Sequence, residues 1–324
     1  MSSPSVLERE RRAGPAESSA GPASRHAPAR SPRRLRALSE RAVFFGPILL
    51  VLVGLIGFPI GFALYASFAD VDNLFSLEFA GVSNYENLLS SPEDLVVPFL
   101  NTMRFVIVSV GCSLIIGFAA ALLLTSKLGG RRWFRSALMF PWVIPTVLVA
   151  LLWRWIMDPA AGAFNGLLQG LGLIDAPVSW LGEPAIAPWV IILAQVWHGF
   201  PFIMIMLMAA LQTIPAELYE AASVDGAGAA RRFVSITWPS VRPIFVLVGT
   251  LEGLYAFREF ATIDVLTGGG PAGSTEVLAT QVYRMFFDYH KFGEALALAA
   301  LMFVLALVVT LLSMRLSTRG EEDA

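Results

Sequence analysis

The stretch EAASVDG at residues 220–226, followed ten residues later by ITWP at 236–239, carries the most information about this chain. It lies in a polar segment between two long apolar stretches, and its small alanines would let another protein's surface approach the backbone closely. Asp225-Gly226 should end a first helix, because glycine accepts backbone angles that other residues avoid. A second short helix should run to Ile236 and be ended by Pro239. We therefore predict a helix–turn–helix over residues 213–239.

The apolar stretches on either side of this segment belong to a membrane protein. Hydrophobic residues make up 56% of the 324-residue chain, and they occur in blocks that reach or exceed the ~20 residues needed to cross a bilayer core. Backbone groups in lipid must be paired within their own segment, so each block should be helical, with kinks at internal prolines. The sequence predicts an all-α integral membrane protein with six transmembrane helices, at about 42–69, 101–125, 136–156, 188–211, 243–266 and 294–316.

The basic residues predict the orientation of these spans. Residues 1–41, 126–135, 212–242 and 317–324 contain 17 of the 23 Lys and Arg residues, whereas the three alternate segments contain 2. By the positive-inside rule both termini and the 213–239 segment face the cytoplasm. We therefore predict a multi-pass protein of the inner or plasma membrane. The first 41 residues, rich in Arg, Pro and Ser, should form a disordered cytoplasmic tail that fixes topology rather than binds nucleic acid. Residues 317–324 should form a short cytoplasmic tail.

The segment from 220 to 239 resembles the signature of binding-protein-dependent ABC importer permeases: Glu-Ala-Ala, three residues, Gly, nine residues, Ile, one residue, a hydrophobic residue and Pro. One departure is Trp238, where the family usually has Leu. The resemblance implies a type I importer fold with a cytoplasmic coupling helix that docks into a cleft of a separate ATPase subunit. The residues that it assigns to ATPase coupling are Glu220, Ala221, Ala222, Asp225, Gly226, Ile236 and Pro239.

Two further stretches resemble the carbohydrate-uptake, maltose-permease-like branch of that family. They are FAGVSNYENLL at 79–89 with Asn101-Thr102, and LTGGGP at 266–271. The resemblance implies a second, different permease subunit, a dimer of ATP-binding cassette ATPases that hold ATP and Mg²⁺, and an extracytoplasmic solute-binding protein. The acidic outer loops could dock that protein, although a solvated loop face would have the same composition.

The chain itself shows no catalytic site. A phosphate-cradling loop needs a Gly-Lys pair, and neither of the only two lysines, Lys127 and Lys291, follows a glycine. One cysteine and three scattered histidines offer no metal site. We therefore predict a transport subunit rather than an enzyme, without a cofactor of its own. An ion-coupled secondary transporter is the alternative, but it predicts inverted repeats, and no convincing one is present.

Ionisable residues inside the spans are the candidates for the solute pathway. Glu252, Tyr255 and Glu259 occur at i, i+3 and i+7, which predicts one helical face that could bind the hydroxyls of a sugar or related polyhydroxy solute. Alternatively, Glu259 pairs with an arginine to hold helices together, or the acidic residues belong to an interface between subunits. Trp142, between two prolines, is a candidate for a cavity wall.

Overall fold

The computed structural model describes residues 45–73, 76–126 and 129–322, in two units that divide after Phe58. The basic tail 1–41, predicted to be disordered, and the last two residues of the predicted tail 317–324 lie outside the described residues. The first helix, α1 (Phe45–Ala66), crosses the boundary between the units and contains a π-helical turn at Val53–Gly57. All other described elements belong to the second unit.

The second unit is mainly helical. In chain order its elements are β1 (Ala69–Asn73), β2 (Ser76–Phe79), α2 (Ser83–Ser90), α3 (Pro92–Thr125), α4 (Arg131–Val143), α5 (Thr146–Ile156), α6 (Ala163–Gly170), α7 (Ala187–Gln212), α8 (Ala216–Val224), α9 (Ala229–Phe257), α10 (Ala261–Thr267), α11 (Leu278–Phe287) and α12 (Phe292–Glu322). Among the described residues, α1, α3, α7, α9 and the Phe292–Ser313 part of α12 are long and apolar enough to cross a membrane. A sixth span results if α4 and α5 are counted together. The predicted helical membrane fold is thus confirmed.

The span predicted at 136–156 is not one helix. It consists of α4 and α5, which meet at an angle of 98°. Ile144 has an extended backbone (φ −75°, ψ 130°), because the ring of the following Pro145 disfavours helical angles in the residue before it. The prolines predicted to kink a helix therefore break it, and Trp142 lies in the last turn of α4, next to the break.

The fifth span also differs from its predicted bounds. The helix begins at Ala229 and ends at Phe257, so Pro239 does not end a short helix as predicted. A π-helical turn at Phe233–Thr237 precedes this proline, and the Trp238 amide donates to the Phe233 carbonyl five residues back. The wider turn lets the helix pass a residue that has no N–H to donate.

A small hairpin after α1 was missed by the prediction of a purely helical chain. β1 and β2 pair antiparallel, with Ala69 opposite Phe79. The Asn84 amide in α2 donates to the carbonyl oxygens of Ser67 (3.1 Å) and Ala69 (2.8 Å) and so anchors the start of the hairpin. Gly293 leaves room for this amide, since a Cβ there would lie 2.6 Å from the Asn84 oxygen.

Helix α7 forms the centre of the second unit. In its most apolar 18-residue window 67% of the residues are buried, against 22% in α3. The two helices approach closely at Gly117, where a Cβ would lie 2.8 Å from Ile203 Cγ2 and 2.9 Å from the Phe200 carbonyl oxygen. Small residues at helix crossings are the usual means of close packing in membranes. α7 is therefore a fixed support for the elements around the sites described next.

Candidate functional site

The segment predicted to couple to a partner forms a separate short helix, α8, at the end of α7. α8 begins after Pro215 and ends at Val224, and Gly226 then adopts a left-handed conformation with φ +75°. The amide of Ala227 donates to the Ala222 carbonyl at 2.8 Å, which closes the turn. The predicted break at Asp225-Gly226 is thus confirmed, and its physical cause is the positive φ that glycine tolerates.

α8 has no buried residue within the described chain. Of the residues predicted to contact an ATPase, Glu220, Ala221, Asp225, Gly226 and Pro239 are exposed, and Ala222 and Ile236 are half-buried. Sequence reasoning missed two apolar side chains on the same helix, Val224 and Leu218, which are 89% and 48% exposed. Exposed apolar side chains next to small alanines form a surface suited to contact with another protein.

One side chain of α8 ties it to the base of α9. The Tyr219 hydroxyl and the buried Thr237 hydroxyl lie 2.9 Å apart, and Thr237 belongs to the π-helical turn. Trp238, the departure from the family signature, packs inward: its ring centroid lies 6.2 Å from that of Phe118 in α3 and 5.2 Å from that of Phe245. The substitution at 238 therefore concerns the attachment of α9 to α3 rather than the exposed surface of α8.

The four predicted pathway residues surround a second feature, a cavity of about 450 Å³. Trp142 and the α4–α5 break form one wall, Gln195, His198 and Gly199 of α7 another, and Glu252, Tyr255 and Glu259 a third. The indole of Trp142 stacks on Phe202 with centroids 5.8 Å apart. The His198 ring nitrogen Nε2 lies 3.1 Å from the Ile144 carbonyl oxygen at the break. The structure therefore brings together residues that are more than one hundred positions apart in sequence.

Glu252 is the most enclosed charged group of this cavity, with 5% of its surface exposed. It lies against Gly199, where a Cβ would overlap the Glu252 Oε1 atom and lie 3.2 Å from its Cδ. The Gln195 amide, also 5% exposed, lies beside this carboxylate, and its Oε1 has no hydrogen-bond partner within the described chain. A glycine and a glutamine one turn apart on α7 thus accommodate a carboxylate of α9.

Glu259 reaches the cavity in a way that the helical pattern did not predict. α9 ends at Phe257, so Glu252, Tyr255 and Glu259 do not share one helical face. The Glu259 Oε1 accepts a hydrogen bond from the Thr262 amide at 2.8 Å, at the start of α10. The alternative of a Glu259–Arg pair is not observed among the described residues; Arg258 instead lies over the Tyr255 ring, 4.7 Å from its centroid.

Asn101-Thr102, from the first stretch that resembles carbohydrate permeases, contacts the loop that follows the second stretch, LTGGGP. The Asn101 amide of α3 donates to the carbonyl oxygens of Gly273 (3.0 Å) and Glu276 (2.9 Å), in the loop between α10 and α11. Thr102 accepts from the Leu278 amide at 2.9 Å. Burial raises the pKa of the Glu276 carboxyl, although its ion pair with Arg284 opposes this. Asn101-Thr102 therefore fixes this loop to α3.

Metal chemistry has no support in the described part of the chain, where no group of three or more His, Cys, Asp or Glu residues could hold an ion.

Residues 113–320, which include α7, α8 and α9, match the family model of the binding-protein-dependent transport system inner membrane component. The chain belongs to this family. The membership confirms the resemblance seen in the segment 220–239 and favours an importer subunit over an ion-coupled secondary transporter. It also agrees with a multi-pass membrane protein that is a transport subunit and not an enzyme.

Relatives of the chain are named as sugar permeases. The trehalose/maltose transport system permease protein MalF of Thermococcus litoralis is 37% identical over 273 residues, which cover 83% of this chain and 90% of that protein. The diacetylchitobiose uptake system permease protein DasB of Streptomyces coelicolor is 33% identical over 304 residues, 90% of this chain and 92% of that protein. A crystal structure of a bacterial ABC transporter that imports alginate has a similar chain, with a TM-score of 0.77 at 22% identity over 89% of this chain and 99% of that one. This last likeness concerns the fold.

Proposed function

We propose that this chain is one permease subunit of an ATP-driven importer and forms half of the translocation pathway for a sugar or related polyhydroxy solute. The observation that carries the proposal is the exposed helix α8, attached to the base of a long helix whose other end lines the polar cavity. This arrangement connects a surface for a partner to a compartment for a solute.

The connection runs along α9. Its base is bonded to α8 through Tyr219 and Thr237, and its far end carries Glu252 and Tyr255. The 29 residues of α9 correspond to roughly 40 Å of helix, about the full thickness of a bilayer with its headgroups. A displacement of α8 by an ATPase would therefore move the cavity wall formed by α9 relative to α7. ATP and Mg²⁺ would be bound by the ATPase dimer, on the cytoplasmic side with both termini of this chain.

The composition of the cavity suits a polyhydroxy solute. Carboxylate and amide oxygens of Glu252, Glu259 and Gln195 accept hydrogen bonds from hydroxyl groups, and the Gln195 amide also donates. The rings of Trp142 and Tyr255, 45% and 51% exposed, can cover the apolar face of a sugar. The relatives named for trehalose/maltose and diacetylchitobiose uptake support the same class of solute.

Two further partners complete the proposal. A second, different permease would contribute the other half of the pathway. The loop between α10 and α11, held by Asn101, would take part in docking an extracytoplasmic solute-binding protein. One alginate transporter structure contains an oligosaccharide-bound periplasmic protein, which supports this kind of partner.

Co-purification and reconstitution test the proposal together. A tagged form of the chain should bring with it a second permease and an ATPase, and in proteoliposomes the ATPase activity should rise when the sugar-loaded binding protein is added. Purification without an ATPase from gently solubilised membranes, or ATP-independent uptake driven by an ion gradient, would contradict the proposal.

A further inference from the structure

A second polar cavity, of about 480 Å³, lies where the end of α3, the start of α4 and the end of α7 meet. The residues that line it are distant in sequence from Glu252 and Glu259, the carboxylates of the first cavity, and their charge is positive rather than negative. Half of its lining residues are arginines and none is acidic: Leu124, Thr125, Arg131, Arg132, Arg135 and Gln212.

The charge of this arginine cavity is not balanced by the described part of the chain. Residues 126–135 contain four Lys and Arg and no Asp or Glu. The two ion pairs found among the described residues involve Arg284 of α11 and Lys291, which follows α11, and no arginine of the cavity. Arg135 Nη2 contacts the Met208 sulfur, a weak acceptor, at 3.4 Å, and its Nε is buried with no acceptor in the described chain. A buried guanidinium donor without an acceptor indicates that an anion from outside the chain completes the site.

The backbone adds to the same attraction. α4 is 13 residues long and begins after Gly130, whose φ is +76°, with no side-chain cap and no acidic residue in its first turn. The Trp133 and Phe134 amides donate to the Gly130 carbonyl, whereas the two amides before them have no carbonyl partner within the helix. An uncapped helix N-terminus favours an anion through its free N–H groups and its dipole.

Two large aromatic side chains place the arginine cavity at the depth of lipid headgroups. Trp133 and Phe134, in the first turn of α4, are 82% and 61% exposed. Exposed aromatic residues next to arginines are typical of a helix end at the membrane interface, where rings lie at headgroup level and guanidinium groups face phosphates. The cavity also contains Gln212, the last residue of α7, so it lies on the side of the membrane from which α8 begins.

We propose that the arginine cavity binds the phosphate group of an anionic phospholipid from the leaflet next to α8. Three arginines present the fork geometry that suits phosphate oxygens, and the Gln212 amide can supply a further donor. A bound headgroup would lie beside the joint between α7 and α8 and would steady the coupling segment. The assignment to the cytoplasmic leaflet rests on the proposed function, which puts α8 on that side.

The test uses the complete complex in detergent, with lipids added back and counted by native mass spectrometry. Phosphatidylglycerol should bind at least tenfold more tightly than phosphatidylcholine of the same chain length. Arg132→Gln should weaken phosphatidylglycerol binding about fivefold, and the triple variant Arg131→Gln/Arg132→Gln/Arg135→Gln on the order of 100-fold, since each basic residue near a membrane surface contributes about 1 kcal/mol. The triple lysine variant, which keeps the charge, should retain most of the binding.

Arg242→Gln is the matched control, because Arg242 is exposed, belongs to another predicted cytoplasmic segment, 212–242, and does not line the arginine cavity. It should leave lipid binding unchanged. Equal binding of the two lipids, or unchanged binding in the triple variant, would overturn the proposal. So would full occupation of the site by inorganic phosphate at the same concentration, which would indicate a free anion, or cross-linking of Arg132→Cys to an acidic surface of the ATPase with no lipid bound. Co-purification of the ATPase in the same samples reports separately on the proposed function.

Discussion

Replacing Gly199 by alanine should impair solute binding without preventing assembly. At position 199 only glycine lets α7 accommodate the Glu252 carboxylate, because a Cβ there would overlap the Glu252 Oε1 atom and lie 3.2 Å from the Glu252 Cδ atom. Ordinary contacts of this kind are at about 3.4–4 Å, so the carboxylate has to move by roughly 1 Å. The flexible end of the side chain can make this movement, and the helices need not separate.

The magnitude follows from the hydrogen bond that the displaced carboxylate would no longer make to the solute. A hydrogen bond to a charged group contributes about 1.5–3 kcal/mol, which corresponds to a roughly 10- to 150-fold rise in the KM for transport. Uptake of the sugar carried by the cognate binding protein, measured in proteoliposomes with the complete complex, gives KM and the maximal rate. The rise should be in KM, and the ATPase should still co-purify.

Gly253→Ala provides the matched control, since Gly253 is the next residue after Glu252 in α9 and a Cβ there meets nothing within 4 Å. It should leave KM within about twofold of the wild type, in the range of surface substitutions. A wild-type KM in Gly199→Ala, or an equal defect in both variants, would refute the assignment of Glu252 to the solute cavity.

Three other predictions concern the turn after α8 and the loop between α10 and α11. Gly226→Val places a β-branched residue at φ +75°, at a cost of about 1–2 kcal/mol, and should raise the number of ATP molecules hydrolysed per solute transported. Gly228→Val, at φ −66°, should not change this number. The same ATP-to-solute ratio in both variants would contradict the role of the turn. Asn101→Ala leaves two loop carbonyls without a donor, so it should lower the unfolding free energy by about 1–3 kcal/mol and reduce the stimulation of ATPase activity by the binding protein. Asn87→Ala, at an exposed position, should do neither. Thermal unfolding and ATPase assays measure the two effects. Burial raises the pKa of Glu276 above 4.5, so the folded state binds the Glu276 proton more tightly than the unfolded state. This contribution to the unfolding free energy is lost as pH rises from about 4.5 through the folded pKa. Glu276→Gln should remove that pH dependence, and parallel curves of unfolding free energy against pH for wild type and variant would contradict the prediction.

The parts of the account that sequence patterns could predict are those determined locally. The end of α8 at Val224 follows from Asp225-Gly226, and the outlines of α7 and α3 follow from apolar length. The α4–α5 break was visible as prolines, but their spacing alone does not distinguish a kink from a 98° bend. Whether the helix kinks or breaks depends on the backbone angles of Ile144, the residue before Pro145, and these angles depend on the surrounding packing.

The remaining features depend on contacts between distant residues. The hydrogen bonds from Asn101 span 172 and 175 positions, and nothing in the intervening sequence indicates them. Glu259 was expected on the helical face of Glu252, yet it reaches the same cavity from beyond the helix end, because Thr262 binds its carboxylate. The exposure of Val224 depends on the tertiary structure, since no other part of the described chain covers its side chain. These are tertiary properties that periodicity does not encode.

Labelling of α8 tests the central claim most directly. In a Cys112→Ser background, which removes the only cysteine, Val224→Cys and the outer-loop control Asp175→Cys place thiols on two exposed positions. In intact cells a membrane-impermeant maleimide should label Asp175→Cys and not Val224→Cys, and a short cross-linker should join Val224→Cys to the ATPase subunit in the purified complex. Labelling of Val224→Cys from outside the cell, or the absence of any ATPase adduct in an active complex, would contradict the account.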